Sequence, residues 1–178
     1  TLSSSSAASD VYKRQGKARL LNCVAYALYR LDELPRLRGR IRDRRVVAEE
    51  AGAAFTKLIA SLFALVFEAA DSSLDAGVTQ LLVALLNFMQ GKELCGQERA
   101  HGVMGYTAGF FTEPQKARLL ELADLQKRCF DGFAQCAAPD ALAAWGQLAP
   151  GAGQVQRLRD MALRTSDAAR VDAGLAEV

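Results

Sequence analysis

The chain has 178 residues with a formal net charge of +2, and 51% of its residues are hydrophobic. The length suits one domain with a sizeable core, and the near-neutral charge gives no indication of a nucleic-acid partner. No apolar run reaches the roughly 18 residues of a membrane span, and four cysteines without a CxxC pair predict reduced thiols in a cytoplasmic protein.

Residues 1–15 are rich in serine and alanine and show neither helical nor strand periodicity. Residues 5–15 (SSAASDVYKRQ) have the form of a translated sequencing adapter, so we expect residues 1–15 to be non-native rather than a signal peptide. The natural sequence is then expected to begin near Gly16, inside a helix, as a piece of a longer protein.

Nearly all of the sequence after Gly16 has helical periodicity. An apolar stripe predicts a first helix, which Pro35 ends because proline disfavours the α conformation in the residue before it. A second, short helix starts at Pro35 and carries six arginines between Arg36 and Arg45, a pattern more typical of a solvated helix face than of a nucleic-acid patch. The stripe consists of Leu20, Leu21, Val24, Ala27, Leu28 and Leu31.

A third helix is predicted from about Val47 to Ala70, and a loop rich in capping residues, Asp71 to Asp75, precedes a fourth. No proline interrupts the fourth helix before Pro114, which gives about 35 residues and roughly 50 Å of helix. Such a length suits a helix shared by two packed layers.

A fifth helix opens at Thr112, whose hydroxyl can cap it. A short helix from Pro139 to near Leu148, a break at residues 150–153 and a last amphipathic helix from Val155 to Arg164 follow, and residues 166–178 are expected to form a flexible tail. Because no strand alternation is found, the predicted fold class is all-α, with up-and-down helical bundles that share long helices.

The fourth helix contains the most informative segment, Leu86 to Phe111 (LNFMQGKELCGQERAHGVMGYTAGFF), which combines five glycines with one arginine. Helices prefer alanine to glycine by about 1 kcal/mol at each position, so a glycine face either packs closely against another helix or lets a ligand reach the backbone. Arg99 is predicted to be buried beside this face. A buried guanidinium needs a partner, either a carboxylate of the same chain or a bound planar anion, and both alternatives stay open.

Catalysis finds little support in the sequence. His101, the single histidine, lies one and a half turns from Cys95 on another helix face, and no serine or aspartate completes a nucleophilic arrangement. Metal-ligand spacing, a phosphate loop and a dinucleotide fingerprint are also missing, so we expect no enzyme activity and no cofactor.

Three segments together resemble one known family: LDELPRLRGRI at 31–41, EEAGAAFTKLIASLFALVFEAAD at 49–71 and LVALLNFMQGKELCGQERAHGVMGYTAGFF at 82–111. They resemble the NIT domain, the nitrate- and nitrite-sensing helical module, and within it the sensory part of nitrate-responsive transcription antiterminators. The KELxGQERAxG string is the most specific part, and the resemblance covers about residues 16–165. It implies a module of two packed bundles that binds nitrate or nitrite with arginines and signals to an output domain.

The resemblance also implies which arginines bind the ligand. Arg99 matches the arginine of the QERA motif, and Arg159 in the segment QVQRLRDMA is the best match for another, with Arg157 as the neighbouring alternative. A further arginine comes from an early helix with a RERG-type motif, which this sequence lacks. We therefore expect these 178 residues to bind nitrate weakly or not at all.

The function implied is control of transcription antitermination through an RNA-binding domain outside this sequence, in a protein that forms a homodimer and does not associate with membranes. Two alternatives stay open. The same sensor can precede a histidine kinase or a chemoreceptor, or the chain can be a ligand-free helical interaction module in which Arg99 forms a structural ion pair.

Overall fold

The computed structural model describes residues 3–148 and 152–165, and in these ranges the chain forms helices without any strand, which confirms the all-α prediction. Two compact units are distinguished, Thr1–Leu86 and Asn87–Val178. The described helices are α1 (Ser3–Asp32), α2 (Leu34–Arg42), α3 (Ala48–Ser72), α4 (Ala76–Ala108), α5 (Glu113–Cys136), α6 (Pro139–Leu148) and α7 (Ala152–Arg164). Because α4 contributes residues to both units, the prediction of a shared long helix is confirmed.

Local signals determine where α4 ends and α5 begins. Gly109 adopts a φ of 80°, and the N–H of Phe110 donates to the carbonyl oxygen of Gly105 at 3.2 Å, so α4 ends in a Schellman turn rather than continuing to Pro114. In the predicted cap of α5, the N–H of Gln115 donates to Thr112 Oγ1 at 3.4 Å, and the N–H of Thr112 donates to Gln115 Oε1 at 2.9 Å. This capping box satisfies two free donors of the first turn.

The first unit is built on α1 and α3, which pack together, while α2 contacts both. The predicted apolar stripe of α1 is wrong in part, because Leu21, Leu28 and Leu31 are exposed. Ala27 of the predicted stripe is buried, as is Gly16 on the same face of α1. Small residues at this spacing let two helix backbones approach closely, so they form the contact in place of the three exposed leucines.

Residues 3–15 belong to α1 although their sequence shows no helical periodicity. The physical reason is local: no proline or glycine lies between residues 3 and 15, and a helix that has already nucleated extends at low cost through serine, alanine and lysine.

α3 contains a longer apolar segment than was expected from the sequence. It contains an 18-residue window of mean hydropathy 1.7, long enough to cross a membrane by length and composition alone. The expectation that no segment reaches this length is wrong once up to two charged residues are allowed within it. Mostly buried core helices of soluble proteins can be equally apolar, but only 17% of this window is buried, although α3 packs against α1.

The second unit has two separate apolar clusters, one made of aromatic rings and one that mixes aromatic and aliphatic side chains. The rings of Phe88, Phe130, Phe133 and Trp145 contact one another, with Phe130 stacked on Trp145 at a centroid distance of 4.7 Å. Separately, Phe111, Leu119 and Ala162 form a buried cluster against which Tyr106 packs. These contacts hold α4 and α7 in fixed positions around α5, which is what the site described next requires.

Candidate functional site

The glycines of α4 divide into those that allow packing and those that face open space. A Cβ atom added to Gly91 would lie 2.8 Å from the ring of Phe130, and one added to Gly105 would overlap the ring of Phe111. Nothing lies within 4 Å of the corresponding position at Gly96 or Gly102. Close packing therefore explains the first pair, whereas the second pair leaves the helix backbone accessible.

Arg99 is exposed, so the prediction that it is buried is wrong. Its neighbour Glu98 takes the inward position on α4 and is only 8% exposed. Consecutive residues of a helix point about 100° apart, so only one member of this charged pair can face inward. Within the described residues, Arg99 makes no ion pair, and the carboxylates of Glu113 and Asp131 pair with Lys116 and Lys127.

Arg159 is the predicted site residue that the structure places in a polar network. Its Nε and Nη2 atoms donate to the two carboxylate oxygens of Glu98, the second at 2.8 Å, so the guanidinium and the carboxylate meet edge to edge. The side chains of Arg159 and Glu98 are 22% and 11% exposed. Such a forked, partly buried pair is stronger and more directional than a surface ion pair.

Gln126 of α5 completes the network by contacting both charged partners. Its amide Nε2 donates to Glu98 Oε2 at 2.7 Å and to the carbonyl oxygen of Leu94 at 3.3 Å, while its Oε1 accepts from Arg159 Nη2 at 2.8 Å. Gln126 is itself buried. The network thus joins α4, α5 and α7 and offsets the cost of taking Glu98 out of water.

The pKa values of the network follow from these contacts. Burial alone would raise the pKa of Glu98, but the hydrogen bonds from Arg159 and Gln126 and the charge of Arg159 together lower it below its usual value. The hydrogen bond to Glu98 raises the pKa of Arg159 in turn. Both groups therefore stay charged at neutral pH.

Cys95 lies close enough to this network to respond to it. Burial, and after it the negative charge of Glu98, raise the pKa of the Cys95 thiol. A raised pKa disfavours the thiolate, which is the nucleophilic form of cysteine. Among the described residues, no group of three or more histidine, cysteine, aspartate or glutamate side chains could hold a metal ion.

An opening lies beside the network on the same face of α4. Glu98, Gly102 and Tyr106 follow one another at intervals of four residues and so share a face. Glu98 bonds to Arg159, and the hydroxyl of Tyr106 donates to the carbonyl oxygen of Leu158 at 2.5 Å, so both flanking residues reach the same point of α7. Gly102 sits between them with nothing within 4 Å of its side-chain position. We call this space the Gly102 opening.

The three predicted arginines occupy different positions relative to the Gly102 opening. Arg159 is held at its edge by Glu98, and Arg99 lies one turn before Gly102 on the adjoining row of α4. Arg157 is exposed near the start of α7 and takes no part in the network formed by the described residues. Of the two neighbouring arginines of α7, Arg159 is thus the one that contacts Glu98 and Gln126.

Glu98 and Gln126 were missed by the sequence analysis. Gln126 falls in the apolar stripe of α5, four residues after Leu122 and seven before Phe133, both of which are buried. A polar residue at such a position is a recognisable signal for a buried hydrogen-bond network. Glu98 carried no comparable signal, because the choice between Glu98 and Arg99 as the inward residue depends on the rotation of α4 against α5 and α7.

The chain was compared with known proteins. A family model described as nitrate and nitrite sensing matches residues 3–176. A nitrate regulatory protein of Klebsiella oxytoca is 38% identical over 139 residues, which are 78% of this chain and 35% of that protein. The structure of the NasR transcription antiterminator superposes with a TM-score of 0.74 at 38% identity, covering 80% of this chain and 39% of the other. The chain thus spans well under half the length of these relatives.

Proposed function

Because the chain belongs to the nitrate and nitrite sensing family, we propose that its second unit binds nitrate or nitrite through Arg159 and Arg99, with Arg157 as a further candidate. The observation that carries the proposal is the Gly102 opening. Arg159 lies at its edge and Arg99 lies one turn away, so two guanidinium groups are within reach of a space that exposes helix backbone.

Electrostatics support the same assignment. Arg99 is a cation without a carboxylate partner among the described residues, and Arg159 shares its only ion-pair partner, Glu98, with Gln126. A small planar anion matches the forked donors of a guanidinium, and an anion held by Arg99 of α4 and Arg159 of α7 together would bind best where the two helices bring these side chains together. Anion binding therefore favours one arrangement of α4 and α7 over others, which is what a sensory switch needs.

The affinity of such a site is limited by the size of the ligand. Nitrate has four non-hydrogen atoms, and a ceiling of about 1.5 kcal/mol per atom gives about 6 kcal/mol. This corresponds to a dissociation constant on the order of tens of micromolar. Titrations need to extend into the millimolar range to detect it.

The proposed output is control of transcription antitermination in the bacterial cytoplasm, through an RNA-binding domain beyond these residues and in a homodimeric protein. The similarity to a nitrate regulatory protein and to the NasR transcription antiterminator supports this output over a histidine kinase or a chemoreceptor. In this proposal the chain is a sensor without enzyme activity, and its signal is a change in helix position.

The proposal is tested by isothermal titration of the 178-residue chain with nitrate, with nitrite, and with chloride as the control anion. Weak binding of nitrate or nitrite and none of chloride is expected, because this sequence lacks the further arginine of the RERG-type motif, and Arg99→Ala and Arg159→Ala should each weaken the binding at least tenfold. Arg128→Ala is the matched control, because Arg128 is an exposed arginine of α5 paired with Asp124. Equal binding by the Arg99→Ala and Arg128→Ala variants would contradict the site assignment.

A further inference from the structure

We infer that Glu98 is a built-in competitor for the anion, a carboxylate of the chain that occupies the Arg159 donors which nitrate or nitrite would use. The inference rests on the proposed function, because it concerns the regulation of the same site. It assigns to Glu98 the role of setting the ligand concentration at which the sensor responds.

The first argument is the number of donors that Arg159 has left. A guanidinium carries five N–H groups. One edge, formed by Nε and Nη2, donates to Glu98, and Nη2 also donates to Gln126 Oε1. The remaining nitrogen, Nη1, donates in a long bond of 3.5 Å to Gln156. Glu98 therefore holds the Nε/Nη2 edge, and the other edge, Nη1/Nη2, has Nη2 bound to Gln126, so neither edge offers a planar anion two free parallel hydrogen bonds.

The second argument is the similarity between the internal ligand and the external one. A carboxylate and a nitrate or nitrite ion each present two oxygens in a plane to the fork of a guanidinium. An incoming anion that takes the Nε/Nη2 edge must therefore displace Glu98 from Arg159. Displacement leaves the Glu98 side chain, 11% exposed, without its cationic partner and next to a second negative charge, which opposes binding.

Gln126 is a positioning residue for this competition. By donating to Glu98 and to the carbonyl oxygen of Leu94, and by accepting from Arg159, it fixes both charged groups in one geometry. Glu98 therefore stays aligned with Arg159 in the absence of ligand, and exchange for an external anion changes the contacts of α4, α5 and α7 together.

Glu98→Gln tests the inference, because it keeps the shape of the side chain and removes its charge. Titration of the full 178-residue chain with nitrate should give a dissociation constant about tenfold lower for this variant than for the wild type, equivalent to about 1.4 kcal/mol. The matched control is Glu93→Gln, which removes the same charge from the same helix at a residue that hydrogen-bonds Gln97. The control should stay within about twofold of the wild type.

The outcomes separate the inference from the proposed function. If the wild type binds nitrate and Glu98→Gln binds equally or less tightly, the inference is overturned and the proposed function stands. If only Glu98→Gln binds, the inference is supported and nitrate binding by the wild-type chain is contradicted. If neither protein binds, both are overturned.

A second variant applies if Glu98→Gln does not fold, as judged by circular dichroism. Glu98→Ala removes the carboxylate altogether and frees the Nε/Nη2 edge of Arg159. Loss of the internal competitor should again lower the dissociation constant for nitrate about tenfold. Unchanged or weaker binding by this variant overturns the inference.

Discussion

Replacing Gly105 with alanine should destabilise the second unit, because the added methyl group would occupy space that the Phe111 ring fills. A Cβ atom on Gly105 would overlap three atoms of that ring, and Phe111 is fully buried. The ring cannot move aside freely, since it packs edge-on against Tyr106 with centroids 5.1 Å apart and also contacts Leu119 and Ala162.

The size of the effect follows from two opposing contributions. Alanine is favoured over glycine in a helix interior by about 1 kcal/mol, whereas overpacking a filled core costs about 1–3 kcal/mol. Because the overlap at Gly105 is severe and its neighbour is a buried aromatic ring, the upper end of the overpacking range applies. The expected net loss in the free energy of unfolding is about 2 kcal/mol.

Gly102→Ala is the matched control for Gly105→Ala, since it makes the same substitution three residues earlier where nothing lies within 4 Å. It should raise the free energy of unfolding by up to about 1 kcal/mol. Urea unfolding of both variants, followed by far-ultraviolet circular dichroism, should therefore separate them by about 3 kcal/mol. The packing argument is refuted if Gly105→Ala is as stable as the wild type or as Gly102→Ala.

Four further predictions test the site and its supports. Gly102→Ala should weaken nitrate binding while it stabilises the fold, because a methyl group enters the Gly102 opening; unchanged affinity by titration would place the anion elsewhere. Since contacts in the folded state lower the pKa of Glu98, its pairing stabilises the protein above the unfolded pKa of about 4.5, and this stabilisation is lost as the pH falls through the folded value. Urea unfolding between about pH 7 and pH 3 should show this loss in the wild type and less of it in Glu98→Gln. Thr112→Ala should lower the free energy of unfolding by about 1 kcal/mol through loss of the capping box, whereas an equal loss from Thr79→Ala would point to a non-specific effect of removing a helical threonine. Tyr106→Phe should cost about 1 kcal/mol by removing the hydroxyl that donates to Leu158, and no loss would mean that water replaces the tyrosine at this carbonyl.

Much of the fold was predictable because its signals are local. The cap at Thr112, the proline in the first turn of α2 and the capping residues between Asp71 and Asp75 each act through neighbours within four residues. The end of α4 was not predictable in the same way. Five glycines in one segment could each have adopted a positive φ, and Gly109 does so because the chain must turn there for Phe111 to enter the core.

The site was harder to predict from the sequence, because either of two charged residues at neighbouring helix positions can be the one that faces inward. An amphipathic pattern identifies a buried face only when apolar residues mark it, and the row of α4 around Cys95 and Gly102 contains few. The direction of Glu98 is determined instead by Arg159 and Gln126, which lie 61 and 28 residues further along the chain. Partners at such separations leave no periodic trace in the sequence.

Glu98 and Arg99 are adjacent in the sequence, and their opposite charges point in different directions. Glu98 faces inward and attaches α7 to α4 through Arg159, while Arg99 faces outward beside the Gly102 opening. If an anion takes the place of Glu98, α7 still keeps two other attachments: the hydrogen bond from Tyr106 to Leu158 and the buried contact of Ala162 with the Phe111 cluster. Exchange at Arg159 would therefore change the contact of α7 with α4 and α5 without detaching α7, because the two remaining attachments lie on either side of Arg159 along the helix.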